Sequence, residues 1–297
     1  MIAPPLNRLI AGPVALLLLA GCVTPPTPSP DGWTLVVLGI AQDGGMPHLG
    51  CTKPPCEDAR AGRRRAEKVS CIGLYNRALG LTYLFDATPD LPAQVHALTG
   101  GGAPSAIFLT HAHIGHYTGL MYLGKETMAA KSVPVYGTPR MTEFLKRNGP
   151  WSLLAEDRHI DLRDLAPGEP LALGGIRITP FTVPHRDEFS DTVGYRIEGP
   201  NRTAIFIPDI DAWDKWEGDL RAEADRTDVM LLDGTFESLD ELPHRDLSKV
   251  RHPLMTDTRR RLKGTRARLL FIHLNHSNPA MMRREPDVAV EGLEMGL

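Results

Sequence analysis

Three histidines that directly follow a predicted strand constrain this chain more than any other feature of its sequence. Residues 107–110 form a short apolar and β-branched run, and His111, His113 and His116 come immediately after it. The chain leaves the sheet at the end of a strand, so alternate side chains there can converge on one ion. Imidazole nitrogen suits Zn²⁺ and Fe²⁺. The pattern therefore predicts a metal site at a strand end, and the alternative is a set of surface or core histidines.

Composition and charge exclude several other classes of protein. The 297 residues are 42% hydrophobic and 23% charged, which is ordinary for a globular protein and excludes a disordered chain or a polytopic membrane protein. A formal net charge of −3 argues against a general nucleic-acid binder, so we expect no nucleic-acid partner. Eleven His and four Cys favour imidazole chemistry over a disulfide scaffold.

The N-terminus has the pattern of an export signal. Arg8 precedes an apolar run at 9–20, which is too short to span a bilayer comfortably but suits the core of a signal peptide. Leu19-Ala20-Gly21-Cys22 resembles a bacterial lipobox; the alternative is an ordinary secretory signal with a chance cysteine. The resemblance implies cleavage before Cys22 and a lipid anchor on it, and Val23 implies the outer membrane, facing the periplasm.

The rest of the chain divides into a spacer and one domain. Residues 1–21 are the expected signal peptide, and four prolines make residues 22–32 a stiff linker. Residues 33–297 form a single predicted α/β domain of two sheets flanked by helices. Strands are predicted at 34–40, 71–75, 81–85, 106–110, 133–136, 176–183, 193–197, 203–207, 229–232 and 269–273. Helices are predicted at 91–98, 119–128, 139–148, 212–222 and 256–263.

Four strand ends carry residues similar to those of the metallo-β-lactamase superfamily, whose signature is T-H-x-H-x-D-H. The first is Thr110-His-Ala-His-Ile-Gly-His116, and the others end in His185, Asp209 and His273. The likeness covers residues 33–280 and implies the αββα sandwich fold. Four further stretches, at 38–47, 85–90, 232–237 and 271–279, resemble the subfamily of pyrroloquinoline-quinone biosynthesis protein B. That subfamily usually lacks the first two histidines of the motif, so at the metal this chain resembles the hydrolases more closely.

The resemblance implies two metal positions. The first consists of His111, His113 and His185. The second consists of His116 and His273, with Asp209 bridging both. The family carboxylate is replaced by Gly115, so we expect the second position to hold metal more weakly. On that argument, Gly115→Asp should raise its occupancy.

A metal held by three protein ligands keeps an open position for water. Bound Zn²⁺ lowers the pKa of that water towards about 7, so hydroxide is available to attack a carbonyl or phosphorus centre. We expect one or two zinc ions, with iron or manganese as alternatives. Asp209 would bridge the metals or orient the nucleophile. His252 and Asp233 are candidates for proton transfer; the alternatives are a surface-loop residue for His252 and a turn residue for Asp233.

A cysteine pair forms a second candidate cluster. Cys51 and Cys56 flank Thr-Lys-Pro-Pro. Relatives in this branch often carry a cysteine-rich structural zinc site here, completed by a histidine that corresponds to His276. One cysteine of that set is missing, and an exported chain occupies an oxidising compartment, so a Cys51–Cys56 disulfide is slightly favoured over zinc. Cys71 lies in an apolar strand and is predicted to be a buried hydrophobic residue.

Three functions are compatible with these patterns. The first is a lipid-anchored metallo-hydrolase acting on an ester, lactone, amide or phosphodiester of a small molecule. The second is an iron enzyme that uses oxygen, of the pyrroloquinoline-quinone biosynthesis type, and the third is a non-catalytic binding lipoprotein. The glycine loop at 44–45, Tyr117 and the segment 186–189 are predicted to border the substrate pocket. Metal analysis separates the first two functions.

Overall fold

The structure, a computed structural model, describes Met1, residues 32–242 and residues 250–297. Apart from Met1, the predicted signal peptide at 1–21 lies outside the described residues, as do Cys22 and the linker up to residue 31. Within the described ranges, no helix is both long and apolar enough to cross a membrane.

Two β-sheets form the centre of the domain. The first has seven strands, and its first four are antiparallel while its last three continue in parallel. In spatial order these strands are β13 (Glu294–Gly296), β1 (Thr34–Gly39), β2 (Cys71–Asn76), β3 (Leu81–Phe85), β4 (Ala106–Phe108), β5 (Val133–Gly137) and β6 (Ile160–Asp164).

The second sheet has six strands and a similar mixed topology. Three parallel strands at one side continue into antiparallel strands at the other. In spatial order they are β12 (Arg268–Ile272), β11 (Val229–Asp233), β10 (Thr203–Ile207), β9 (Val193–Glu198), β8 (Ile176–Thr182) and β7 (Leu171–Leu173).

Helices cover the outer faces of both sheets. The α-helices of the described residues are α1 (Pro54–Arg60), α2 (Leu91–Thr99), α3 (Ile114–Tyr117), α4 (Pro139–Arg147), α5 (Trp151–Glu156), α6 (Leu220–Asp225), α7 (Met255–Arg261) and α8 (Pro279–Arg283). Short 3₁₀ helices span Thr118–Leu123, Trp213–Lys215 and Leu239–Glu241. The described residues therefore form the predicted αββα sandwich.

Aromatic side chains fill the space between the two sheets. The ring of Phe85 on β3 lies 5.3 Å from that of Tyr195 on β9 and 6.3 Å from that of Phe206 on β10, both edge to face. All three rings are fully buried. Such pairs contribute about 0.5–1.5 kcal/mol beyond their buried area. This layer fixes the distance between the two sheets, and with it the distance between the strand ends that carry the predicted ligands.

All ten predicted strands are present, but two helix predictions are wrong. The predicted helix at 119–128 is replaced by the 3₁₀ helix at Thr118–Leu123, and the N–H of Gly119 donates to the carbonyl of Ala87 in the loop after β3. The predicted helix at 212–222 is a 3₁₀ turn followed by α6, whose start is set by Asp219 capping the backbone N–H groups of Arg221 and Ala222. Strands β6, β7 and β13 were not predicted. Each is an edge strand whose residues are mostly only partly buried, so its sequence lacks a clear apolar run or alternation.

Candidate metal centre

The predicted ligands meet at one edge of the sandwich because each follows a strand. His111 lies beyond β4 in the first sheet. His185, Asp209 and His273 lie beyond β8, β10 and β12 in the second sheet. His273, which directly follows β12, has a φ of 62°, a left-handed conformation that turns the chain sharply at the strand end. The two sheets thus supply ligands from opposite sides of the same space.

The first group of ligand atoms comprises His111, His113 and His185. One ring nitrogen of each lies within 4.8 Å of the others. The His111 Nε2 and His113 Nδ1 atoms are 2.9 Å apart. Burial, reinforced by neighbouring histidines, holds the pKa of His111 well below its ordinary value, and burial also lowers the pKa of His185. Neutral imidazole is the form that binds metal, so the fold keeps these two rings ready to act as ligands.

The second group contains two histidines and two carboxylates. Asp209 Oδ2 lies 3.0 Å from His116 Nε2 and 3.2 Å from His273 Nε2. Asp43, from the loop after β1, places its Oδ1 atom 3.3 Å from the same atom of His116 and 3.5 Å from that of His273. The structure therefore places a second carboxylate beside these histidines, which the sequence-based expectation did not include. Sequence reasoning missed Asp43, although an acidic residue in the glycine loop was a signal that could have revealed it.

Asp209 lies between the two groups. Besides its contacts in the second group, its Oδ2 is 3.6 Å from His111 Nε2 and its Oδ1 is 3.8 Å from His185 Nε2. Burial raises the pKa of Asp209, but His273 and His185 outweigh it and hold that pKa well below the ordinary value. The carboxylate is therefore ionised and stands where it can serve both positions.

The donor set fits a metal ion. Several buried polar atoms have no hydrogen-bond partner among the residues that the structure describes: Asp43 Oδ1, His116 Nε2, His185 Nε2, Asp209 Oδ1 and His273 Nε2. A buried polar atom without a partner costs about 1–3 kcal/mol, and these five face the two ligand positions. Burial lowers the pKa of His116, but Asp86, Asp209 and Asp43 raise it well above its ordinary value. An ion at the second position would replace that proton.

Buried polar residues hold His116 in place. Its Nδ1 lies 2.7 Å from Asp86 Oδ2. The other oxygen of Asp86 accepts hydrogen bonds of 2.8 and 2.9 Å from the backbone N–H and hydroxyl of Thr110. Both residues are fully buried. Asp86 thus turns Nε2 of His116 towards the second position, as partners behind metal ligands commonly do. Sequence reasoning gave Asp86 no role, although it lies in a stretch that resembles the subfamily.

His252 and Asp233 form a buried pair beside the ligands. Nδ1 of His252 is 2.8 Å from Asp233 Oδ2 and 3.4 Å from Asp209 Oδ1. The side chain of His252 is 10% exposed, so the surface-loop alternative does not describe it. Asp233 is completely buried and its Oδ1 also accepts from the N–H of Thr235 in the turn after β11, so it has the turn role as well as the contact with His252. Burial lowers the pKa of His252, but the adjacent Asp233 raises it to about 9. Asp233 also accepts hydrogen bonds from the backbone N–H groups of Ile210 and Thr235, and these bonds fix its position.

The expected border of the pocket is only partly correct. Glu188, in the segment 186–189, lies 2.9 Å from His113 Nε2 and therefore stands beside the centre. Tyr117 does not: it is buried, with its ring 4.8 Å from that of Trp151 and 5.4 Å from that of Phe144. An aromatic residue next to the histidine motif is a plausible pocket residue from sequence, but α3 turns this side chain into the core beneath helices α4 and α5.

The cysteine cluster differs from the expected disulfide. Cys51 and Cys56 are free thiols, and one ligand atom from each lies within 4.8 Å of the other and of a ring nitrogen of His276. The loop after β12 brings His276 to the cysteines, and its ring stacks on that of His48 at 4.4 Å. Because His276 lies beside both cysteines, the arrangement agrees better with a zinc site of three protein ligands than with a disulfide between Cys51 and Cys56. Cys71 is fully buried, as predicted.

Paired histidine groups joined by an aspartate between two mixed sheets define a class of metal-binding proteins. The family description "Beta-lactamase superfamily domain" matches residues 82–274, more than half of the chain. The chain belongs to the beta-lactamase superfamily, and its centre is built for a metal cofactor.

Individual proteins show a narrower likeness than the superfamily does. Coenzyme PQQ synthesis protein B of Ruegeria pomeroyi is 28% identical over 89% of this chain and 99% of its own length. The protein of the same name from Xanthomonas campestris is 24% identical over the same shares. Among solved structures, Zn(2+)-bound PqqB from Methylobacterium extorquens has a TM-score of 0.76 at 24% identity, covering 89% of this chain and 100% of that one. A diphosphatase from the PhnP family has a TM-score of 0.67 at 22% identity, covering 89% and 97%. At these identities the two structures show a shared fold.

Proposed function

We propose that this protein is a metal-dependent hydrolase of small molecules. The observation that carries the proposal is the set of two adjacent ligand groups with Asp209 between them. When zinc is bound there, it supplies a Lewis acid and a water of lowered pKa. The fold itself is compatible with several reactions, so the argument rests on the site rather than on family membership.

The surrounding residues have distinct roles in such a reaction. Asp209 orients the attacking water from its buried position between the groups. His252, held by Asp233 at 2.8 Å, stands 3.4 Å from Asp209 and can pass a proton to the leaving group. Glu188 lies against Nε2 of His113 and Arg186 against its Nδ1, and both side chains are exposed, so an incoming substrate would meet them first. Ester, lactone, amide and phosphodiester bonds all suit this arrangement.

A second candidate is a role in coenzyme PQQ synthesis, with iron and oxygen chemistry at the same centre. Its support is the near full-length match to proteins with that name. The intact first group, His111, His113 and His185, favours the hydrolase. Iron in the purified protein together with oxygen consumption would support the second candidate instead.

The test is an activity panel on protein reconstituted with zinc, manganese or iron. Esters, lactones, β-lactams and phosphodiesters are assayed with the wild type, His113→Ala and, as a control, His96→Ala, which changes an exposed histidine on α2. We expect hydrolysis of one substrate class, at least 100-fold slower in His113→Ala and unchanged in His96→Ala. Equal rates in both variants, or no hydrolysis of any class with both metal positions filled, would contradict the proposal.

We also propose that the protein is exported and attached through lipid on Cys22 to the outer membrane, facing the periplasm. The support is the lipobox-like sequence ending in Cys22. Membrane fractionation and intact mass should show that Cys22→Ser leaves the membrane fraction or stays uncleaved. Identical fractionation and mass for variant and wild type would refute the lipid anchor.

A further inference from the structure

The space that a carboxylate at position 115 would need is already filled by Asp43. A Cβ atom built on Gly115 would lie 2.2 Å from Oδ1, 2.9 Å from Cγ and 2.7 Å from Cα of Asp43. Cβ atoms do not approach other heavy atoms below about 3.0 Å without displacement. Any side chain at position 115 therefore competes directly with Asp43. The glycine in the histidine motif and the aspartate in the distant loop are two parts of one arrangement.

We propose that Asp43 is the carboxylate ligand of the second metal position, and that Gly115 is a glycine because Asp43 occupies the space beside it. The carboxylate of this position has thus moved from the histidine motif to the loop after β1. The inference rests on the metal centre of the proposed function, but it does not require that the reaction be hydrolysis.

The distances agree with a single four-coordinate ion. Zinc bonds of about 2.0–2.1 Å to nitrogen and oxygen in a tetrahedron give distances between ligand atoms of about 3.3–3.4 Å. The four measured contacts between the carboxylates of Asp43 and Asp209 and the imidazoles of His116 and His273 are 3.0, 3.2, 3.3 and 3.5 Å. These contacts correspond to four of the six edges of such a tetrahedron, and all four ligand atoms lie within 4.8 Å of one another.

The charge of the four ligands also suits a divalent cation. Asp43 and Asp209 together carry two negative charges, which balance one divalent ion when both imidazoles are neutral. Without Asp43 the position would hold one carboxylate that also faces the first group. The second carboxylate removes the reason for expecting a weak second position.

Backbone hydrogen bonds hold the Asp43 loop against the strand that ends in His273. The N–H of Gln42 donates to the carbonyl of Leu274 at 2.8 Å, and the N–H of Leu274 donates to the carbonyl of Ile40 at 2.8 Å. The N–H of Gly45 closes a turn onto the carbonyl of Gln42 at 2.7 Å, with a φ of 66° at Gly45. Asp43 and His273 are thus positioned by one network before any ion binds.

The test is metal per chain, measured by elemental analysis of the mature protein after identical dialysis at limiting zinc. Asp43→Ala should lose about one ion relative to wild type, and Asp43→Asn should lie between them because its amide oxygen is a neutral ligand. Gly115→Ala should also lose metal, since its Cβ displaces the carboxylate. The matched control is Gly102→Ala, where an added Cβ meets no atom within 4 Å. Circular dichroism of the metal-free proteins confirms that each variant folds.

A double variant, Asp43→Gly with Gly115→Asp, tests whether the two positions share one space. We expect it to bind more metal than Gly115→Asp alone, whose two carboxylates collide. A folded double variant that binds no more than that single variant would contradict the shared space. Full metal content in Asp43→Ala would overturn the ligand assignment.

These results are independent of the hydrolase proposal. Loss of one ion in Asp43→Ala together with no hydrolysis of any substrate supports the ligand assignment and refutes the reaction. Unchanged metal content in Asp43→Ala, together with hydrolysis by the wild type, refutes the ligand assignment and supports the reaction. A cobalt-substituted sample provides a second readout, because the visible absorption of one cobalt ion should disappear in Asp43→Ala and remain in Gly102→Ala.

Discussion

Three of the ligand histidines present one ring nitrogen to a metal position because the other nitrogen is held from behind. The partners are Asp86 for His116 at 2.7 Å, Asp211 for His185 at 3.2 Å and Thr235 for His273 at 3.0 Å. Such partners fix the tautomer and orientation of a ligand, and removing one typically weakens metal binding about 10–100-fold. Among the ligand histidines, Asp86 contacts only His116 and Asp211 contacts only His185, and Asp86 reaches His111 only through the hydroxyl of Thr110. Changing either aspartate should therefore affect one metal position more than the other.

Asp86→Asn should weaken the second position about 10–100-fold and leave the first nearly unchanged. Asp211→Asn should do the opposite, since it contacts His185 in the first group. Competition with a chromophoric chelator, which resolves two binding steps, measures both affinities. An equal effect of each variant on both steps would show that these partners do not act on separate positions.

For individual residues, the sequence indicated which histidines and aspartates follow strands, because the end of a strand can be recognised from a few neighbouring residues. His111, His185, Asp209 and His273 could therefore be named before their positions were known. Asp43, Asp86 and Asp211 were not named, because their roles depend on which loops the fold brings together; for Asp43 the only signal was an acidic residue in the glycine loop. Gly115→Asp illustrates the difference. The sequence argument predicted stronger metal binding, whereas the contact with Asp43 now predicts weaker binding.

Among the secondary structure elements, strands were predicted more accurately than helices. Buried strands such as β10 and β11 are short apolar runs bounded by polar residues, which is a pattern visible in the sequence. The segment after the histidine motif was misread because helix-forming composition cannot reveal a close backbone contact. Gly119 lies so near the loop after β3 that its backbone N–H donates to Ala87 at 2.9 Å.

Gly119→Ala should destabilise the fold by about 1–3 kcal/mol, the usual cost of overpacking a buried site. The added Cβ would lie 2.0 Å from the carbonyl oxygen of Thr88, 2.9 Å from that of Ala87 and 2.8 Å from Cβ of Leu91, and none of these atoms is the movable end of a flexible side chain. Urea unfolding of the metal-free protein provides the measurement, with Gly102→Ala as the control. Equal midpoints for both variants would mean that the contact relaxes at no cost.

At the scale of the whole molecule, the segments that follow β1 and β12 contact each other at two places. Asp43 and His273 face each other in the metal centre, while Cys51, Cys56 and His276 meet a short distance along the same two loops. Burial and the neighbouring Cys51 raise the pKa of Cys56, so its thiolate requires a cation to stabilise it. A metal in the cysteine cluster would tie together the loops that carry Asp43 and His273 of the metal centre.

Thiol labelling of the purified protein should distinguish the two forms of this cluster. We expect Cys51 and Cys56 to be unreactive until a chelator is added, with release of about one zinc ion per chain. Cys51→Ser with Cys56→Ser should lack that ion. Labelling that requires a reductant, with no zinc released, would restore the disulfide interpretation.

Because ligands come from both sheets, each ion would also act as a cross-link between the two halves of the sandwich. His111 and His113 belong to the first sheet and His185 to the second; Asp43 and His116 likewise face Asp209 and His273 across the same gap. A ligand that binds only the native state stabilises it by about 2.7 kcal/mol at 100 times its dissociation constant. Metal supply would therefore govern how long the folded protein survives, and metal starvation would remove it by unfolding and proteolysis as well as by loss of chemistry.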